Sequence, residues 1–351
     1  MERAREKLTR AAAWTGIVLI LVWTSCARQA VSGPRGLPDG SELLEVSRRA
    51  PSDAFMNAYK VPGMDLIATD LTGPGRDLVL IGPDGHSRLE VELAFEVMAP
   101  GHRKGEILAV DGRTYYLLSV TELREGESIS RRTARHIRGF PLSRDACRTR
   151  TGWCLLSKGG DILEIRNEPF EVGRGARFRF KTATRCAYDA RTDALVIAGT
   201  DGEIRVVDWK TFRLRHRLQI PDTEFRRSLC VWNGRAWIGT RRGSFVHYDI
   251  ARNVVREETT FGSPDGDVML ALCDSGARLA ATSSKFVSGR VHPTVLSVWD
   301  IGPEELTLRA RTETTLSTTT WNIGLFETED RLFIAGQYPA YIWSFGSARR
   351  E

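Results

Sequence analysis

The sequence is poor in cysteine and histidine, and these shortages exclude several kinds of site. It has six cysteines in 351 residues and no CxxC pair, so neither a disulfide-rich scaffold nor a CxxC zinc or redox site is expected. Its six histidines form no HExxH or HxH motif, and no P-loop, GxSxG or EF-hand pattern occurs. We therefore expect no metal and no cofactor, and we assign no catalytic residue.

Positive charge is in slight excess and is thinly spread. The net charge is +6, but four basic and two acidic residues lie in the first ten positions, which leaves +4 over the other 341 residues. This density is not typical of a nucleic-acid-binding surface. With 42% hydrophobic and 27% charged residues, the composition is that of a globular protein and not of a disordered or multi-pass membrane chain.

The only long apolar run lies at the N-terminus, at 11–23 (AAAWTGIVLILVW), behind a charged segment at 1–10. It is shorter than the roughly 20 residues that span a bilayer, so residues 1–27 are predicted to be a signal peptide. Three forms of processing stay open: acylation at Cys26, cleavage after Ala27, or no cleavage, which would leave an anchor helix. Acylation is considered because TSC at 24–26 resembles a bacterial lipobox. Residues 28–40 are a predicted flexible tether, and 348–351 a short tail.

No sustained helical period follows residue 27, which argues against an α/β fold. The chain instead repeats a β-rich unit, most clearly at 151–173, 193–218 and 234–258. Small residues taken to end the second strand of successive units lie 38, 43, 40 and 42 positions apart, at Ser119, Ser157, Thr200, Thr240 and Thr282. A period near 40 with several strands in each unit indicates a β-propeller.

The units predict an all-β domain at 41–347, a closed propeller most consistent with seven four-stranded blades, with six or eight as alternatives. The last unit ends at residue 346 without a fourth strand, and the strand-like stretch at 41–49 (SELLEVSRR) has no unit of its own. We expect this N-terminal strand to close the last blade, because a closed ring leaves only short, protected strand edges.

The repeats resemble known propeller families. TDGEIRVVDWKTFRL at 200–214 and SVWDIG at 297–302 are similar to WD40-type repeats. GRAWIGTRRGSFVHYD at 234–249 looks like the blades of bacterial sensor propellers. The resemblance covers roughly residues 42–346 and implies the propeller fold.

Four cysteines, Cys147, Cys186, Cys230 and Cys273, recur 39, 44 and 43 positions apart on the predicted first strands. They are either thiols around the central channel, able to bind metal or form disulfides, or small buried residues; we favour the second interpretation. Cys154 is the best predicted neighbour of Cys147 across a hairpin.

The repeated aromatics are predicted to pack between blades: Trp209, Trp237, Tyr248, Trp299 and Trp343.

The longest departure from the repeat is the insertion Ser283–Thr294, between the second and third strands of the sixth unit. Together with the corresponding loop of the fifth unit it predicts a basic rim with an apolar anchor, formed by Lys285, Phe286, Arg290, His292, Arg241 and Arg242. Because loops carry function on rigid scaffolds, we expect this rim to contact an acidic ligand or an envelope protein.

Two functions are compatible with these features. The first is a non-catalytic binding scaffold, exported to the bacterial envelope as a monomer that contacts the membrane only through its N-terminus or a lipid there. The alternative is a propeller enzyme, a lyase, hydrolase or quinone-dependent dehydrogenase, with its site at the channel mouth. Titratable side chains clustered at that mouth would favour the enzyme.

Overall fold

The computed structural model shows a protein built from β-strands. The residues that it describes are 42–46, 54–55, 57–72, 76–92, 95–111, 114–123, 126–134, 140–220, 225–273, 275–284, 286–287, 290–291, 293–316, 320–326, 330–336 and 340–346. The predicted signal peptide with Cys26, the tether and the tail lie outside them. None of the described residues forms a helix with the length and hydropathy that a membrane crossing requires.

The strands form seven antiparallel sheets, the blades of a β-propeller, as predicted. The first strand of the chain, β1 (Glu42–Glu45), belongs to the last blade. Blade 1 contains β2 (Ala54–Phe55), β3 (Tyr59–Lys60), β4 (Ile67–Thr72), β5 (Arg76–Ile81) and β6 (Ser87–Glu92). Its innermost position is divided between the two short strands β2 and β3, which both pair with β4.

The next three blades have four consecutive strands each. Blade 2 contains β7 (Val97–Pro100), β8 (Glu106–Asp111), β9 (Thr114–Leu123) and β10 (Gly126–Ala134). Blade 3 contains β11 (Ser143–Arg148), β12 (Gly152–Ser157), β13 (Ile162–Arg166) and β14 (Glu171–Ala176). Blade 4 contains β15 (Ala183–Asp189), β16 (Ala194–Gly199), β17 (Glu203–Asp208) and β18 (Leu214–Gln219).

The remaining blades complete the ring. Blade 5 contains β19 (Phe225–Trp232), β20 (Arg235–Thr240), β21 (Ser244–Asp249) and β22 (Val254–Thr260). Blade 6 contains β23 (Asp267–Leu272), β24 (Arg278–Ser284), β27 (Pro293–Ile301) and β28 (Leu306–Thr315), with a small hairpin of β25 (Phe286–Val287) and β26 (Arg290–Val291) in the predicted insertion. Blade 7 contains β29 (Thr320–Leu325), β30 (Arg331–Gly336) and β31 (Tyr341–Ser344).

The ring closes as the sequence predicts. β1 pairs antiparallel with β31, with Leu43 opposite Trp343 and Glu42 opposite Ser344, and becomes the outer strand of blade 7. Leu43 packs against the apolar layer between blades 6 and 7. The N-terminal strand therefore joins the two ends of the chain through main-chain pairing and side-chain burial.

Blade 2 corrects one part of the predicted register. Ser119 was taken as the end of a second strand, but it lies in β9, the third strand, and pairs with Glu106 of β8. The first strand, β7, was missed because it has only four residues and three of them are buried, which leaves no polar–apolar alternation to detect.

The core consists of apolar layers between neighbouring blades. The repeated aromatics Trp209, Trp237, Tyr248, Trp299 and Trp343 are all at most 5% exposed, as predicted for inter-blade packing. The layer between blades 3 and 4 joins Leu156 and Ile162 to Leu195 and Ile197. This packing holds the first strand of each blade against the central channel, where the candidate site lies.

Candidate binding site at the channel mouth

The first strands of the blades surround a channel that holds a cavity of about 910 Å³. The cavity is lined by β11, β15, β19 and β23, and it reaches the turns that follow the first three of them. We call this end the channel mouth; its turns lie at 149–151, 190–193 and 233–234. Successive strands of a blade run in opposite directions, so the described loops between second and third strands, among them the loop of Arg241 and Arg242, lie at the opposite end.

Bulges in the first strands place polar side chains in the channel. The pairing register shifts immediately before Asp145 in blade 3, Arg185 in blade 4 and Asn322 in blade 7, and all three residues line the cavity. A bulge inserts an extra residue and redirects the side chain that follows it. The equivalent bulge of blade 5 contains Ser228, which also lines the cavity.

Asp145 and Arg185 form an ion pair across the interface between blades 3 and 4, with 2.8 Å between Arg185 Nη1 and Asp145 Oδ1. Asp145 Oδ2 accepts a hydrogen bond of 2.7 Å from the backbone N–H of Cys186. Burial opposes the charge of Arg185, but the nearby Asp145 carboxylate outweighs burial and raises the pKa of Arg185. Tyr59 of blade 1 lies close to this pair, and burial raises the pKa of its hydroxyl.

Three exposed arginines surround the mouth: Arg148, Arg150 and Arg191. Each donates to a backbone carbonyl of a neighbouring blade, at 3.1 Å to Gly101, 2.8 Å to Ala190 and 3.3 Å to Asn233, respectively. Within the described part of the chain, no carboxylate lies within 4.0 Å of these three guanidinium groups. The mouth therefore presents positive charge that is held in place but not neutralised.

Asp189, an acidic side chain at the mouth, is engaged in local contacts. One of its carboxylate oxygens accepts from the backbone N–H and the hydroxyl of Thr192, at 2.9 and 2.6 Å. The other accepts from the backbone N–H of Gly234 in blade 5, at 2.9 Å. Asp189 therefore stabilises two turns and leaves the positive charge of the arginines available.

Trp232 provides an aromatic surface beside the arginines. It is 39% exposed and borders both the main cavity and an adjoining cavity of about 580 Å³. Its ring lies against Gly276, where a Cβ atom would be 2.0 Å from Trp232 Cε2. Neither Trp232 nor the three arginines was predicted from the sequence. The available signal was a tryptophan directly before Asn233-Gly234, a dipeptide that favours two-residue β-turns.

The cysteines are arranged differently from the prediction of small residues at one shared position. Cys147 lies directly opposite Cys154 in the β11–β12 hairpin, as predicted for these two. Cys186 pairs with Ile197, which places it one residue away from the position equivalent to Cys147. Because successive side chains of a strand point to opposite faces, this offset turns Cys186 back toward blade 3.

As a result, the sulfur atoms of Cys147, Cys154 and Cys186 lie within 4.8 Å of one another. All three are free thiols; Cys154 and Cys186 are buried, and Cys147 is half-buried. Hydrogen bonding within the cluster and burial raise the pKa of Cys147 and Cys186, and burial raises that of Cys154. Cys230 instead packs in the layer between blades 5 and 6, and Cys273 in the layer between blades 6 and 7.

The predicted basic rim is described only in part. Arg241 is half-buried and forms an ion pair with Asp267 at 3.5 Å, and Arg242 is exposed. Phe286 and Arg290 lie in the hairpin strands β25 and β26, whereas Lys285 and His292 fall outside the described residues. The rim therefore stays a prediction.

Comparison with protein families and with curated proteins identifies no relative of the chain. No protein-family model matches the chain, and no similar protein is found among the curated ones. The structure by itself shows a seven-bladed β-propeller.

Proposed function

We propose that this protein is a non-catalytic binding propeller that holds a small anionic ligand at its channel mouth. The proposal is carried by one observation: three arginines that have no carboxylate partner among the described residues line a cavity of about 910 Å³. Ligand sites for small molecules usually have volumes of about 300–1,000 Å³.

The arrangement suits carboxylate or phosphate groups. A guanidinium group offers paired N–H donors that match the two oxygens of such an anion. Since Arg148, Arg150 and Arg191 are already held by backbone carbonyls, little side-chain entropy is lost on binding. Trp232 offers a flat apolar surface for the remainder of the ligand.

The groups deeper in the channel favour binding over catalysis. Both carboxylate oxygens of Asp145 accept hydrogen bonds, which limits its use as a general base. The raised pKa values of the Cys147 and Cys186 thiols and the Tyr59 hydroxyl keep these groups protonated at neutral pH, and a protonated thiol is a weak nucleophile.

The proposal is tested by calorimetry with citrate, glutamate, inorganic phosphate and inositol hexakisphosphate. We compare the wild type with R148A/R150A/R191A and with a control, R177A/R179A/K181A, which removes the same charge from an exposed segment at the opposite end. Binding that falls at least tenfold only in the mouth variant supports the proposal. No binding by any probe, or equal loss in both variants, contradicts it.

The predicted rim is tested with the same probes and by recovery of partners from an envelope extract. Residues 284–293 are deleted, and the turn is closed with Asn-Gly. If the deletion removes binding while the mouth variant retains it, the site lies on the rim. If the deletion has no effect, the insertion is not the site.

We further propose that the protein is exported to the bacterial envelope through residues 1–27. The charged segment, followed by a 13-residue run that is apolar apart from Thr15 and Gly16, supports this proposal. Cell fractionation and mass spectrometry of the mature N-terminus separate the three forms of processing. A lipid that disappears in C26S shows acylation, a terminus at Arg28 shows cleavage after Ala27, and an intact Met1 in the membrane fraction shows an anchor. Recovery of the intact chain in the cytosol contradicts export.

A further inference from the structure

Three thiols from two blades converge on the channel wall, and the proposed anion site assigns them no role. Cys147 belongs to β11, Cys154 to β12 and Cys186 to β15. Their sulfur atoms lie within 4.8 Å of one another, and no other group of three potential metal ligands occurs among the described residues. Cys147 and Cys186 also line the channel cavity, so an ion can reach them from solvent.

The spacing of the sulfurs fits a single ion. Metal–thiolate bonds are about 2.3 Å long, so three sulfurs in a plane around one ion lie about 4.0 Å apart. The observed limit of 4.8 Å requires only small rotations of the side chains. The backbone that carries the ligands is held by the β11–β12 hairpin and by the hydrogen bond from the Cys186 N–H to Asp145.

The donor set decides which ion suits the site. Three thiolates are soft ligands and select Cu(I) or zinc over hard cations. Structural zinc takes four ligands, whereas no histidine or carboxylate of the described residues joins this cluster as a fourth. We propose that Cys147, Cys154 and Cys186 form a three-coordinate thiolate site for Cu(I).

Binding needs no redox partner. As each Cu–S bond forms, the thiol releases its proton to the channel solvent, and the ion remains Cu(I). The three thiolates and the ion together carry a charge of −2. Arg148 follows Cys147 and Arg185 precedes Cys186 in the chain, and together with Asp145 they contribute a net positive charge to this wall.

The experiment titrates the reduced full-length protein with Cu(I) in the absence of oxygen, using bicinchoninate as the competing chelator. We expect the wild type to retain one equivalent of Cu(I). The variants C147S, C154S and C186S should each weaken binding by at least about 100-fold, since loss of a ligand costs more than loss of a group that orients one. C26S, C230S and C273S are the controls and should bind as the wild type does.

A second measurement does not depend on the folding of variants. X-ray absorption at the copper edge of the loaded wild type should show three sulfur neighbours and no nitrogen or oxygen neighbour. The proposal is overturned if no Cu(I) is retained, if the control variants lose it equally, or if the absorption spectrum shows another ligand set. It is also overturned if the protein prefers Zn(II), or if Cys147 and Cys154 form a disulfide that persists under reductant.

Discussion

Replacing Asp145 by alanine should destabilise the propeller by about 3 kcal/mol, at the lower end of the range for breaking a buried ion pair. The Asp145 side chain is 7% exposed and Arg185 is 21% exposed, so the channel solvates Arg185 only in part. D145A removes the carboxylate from a guanidinium 2.8 Å away and the acceptor from the Cys186 N–H. The Cys186 N–H stays buried and Arg185 stays largely shielded from solvent, which is why the loss exceeds that of an exposed ion pair.

The assay is urea or thermal unfolding followed by circular dichroism. The entropy of unfolding is about 2.1 cal/mol/K per residue, which for about 300 ordered residues makes 3 kcal/mol equal to a fall of about 5 °C in Tm. D145N should cost less than D145A, because its amide oxygen still accepts from the Cys186 N–H. E171A is the control, since the Glu171–Arg166 pair is 48% and 45% exposed and should contribute less than about 1 kcal/mol.

A second substitution separates the ion pair from simple loss of packing. If the cost comes from the uncompensated charge, D145A/R185M should recover most of the stability lost in D145A, since apolar replacement of both partners is often neutral. Our reasoning is refuted if D145A unfolds within about 0.5 kcal/mol of the wild type, or if R185M adds a further cost to D145A.

Three further predictions concern other parts of the ring. L43D places a carboxylate against the apolar layer that closes the ring and should lower the free energy of unfolding in urea by about 2 kcal/mol or more. Hydrogen bonding from Arg215 lowers the pKa of Asp208 to about 2, so its ionised form stabilises the fold above about pH 4 and this contribution disappears as the pH falls toward 2. D208N should therefore show a weaker loss of stability over that pH range, and an unchanged acid profile would contradict the assignment. G276A should displace the Trp232 ring and change the tryptophan fluorescence of the wild type, but not that of W232F; an equal change in both would show that Trp232 is not held by Gly276.

Much of the fold was predictable because its signals are local. Strand alternation, turn residues and a period near 40 are properties of short segments, and they were enough to predict seven blades. The missing fourth strand of the last unit predicted the pairing of β1 with β31. The prediction was wrong at Ser119 because blade 2 begins with a short, buried strand that has no alternation.

The site depended on tertiary structure because its members come from different blades. Arg148, Arg191 and Trp232 lie about 40 residues apart in the chain and meet only where three first strands end side by side. The thiol cluster depended on one residue of register: the spacing of the cysteines suggested equivalent positions, but the offset of Cys186 turns it toward Cys147. The sequence alone determined the repeat and its closure, whereas only the packing of neighbouring blades decided which side chains share the channel wall.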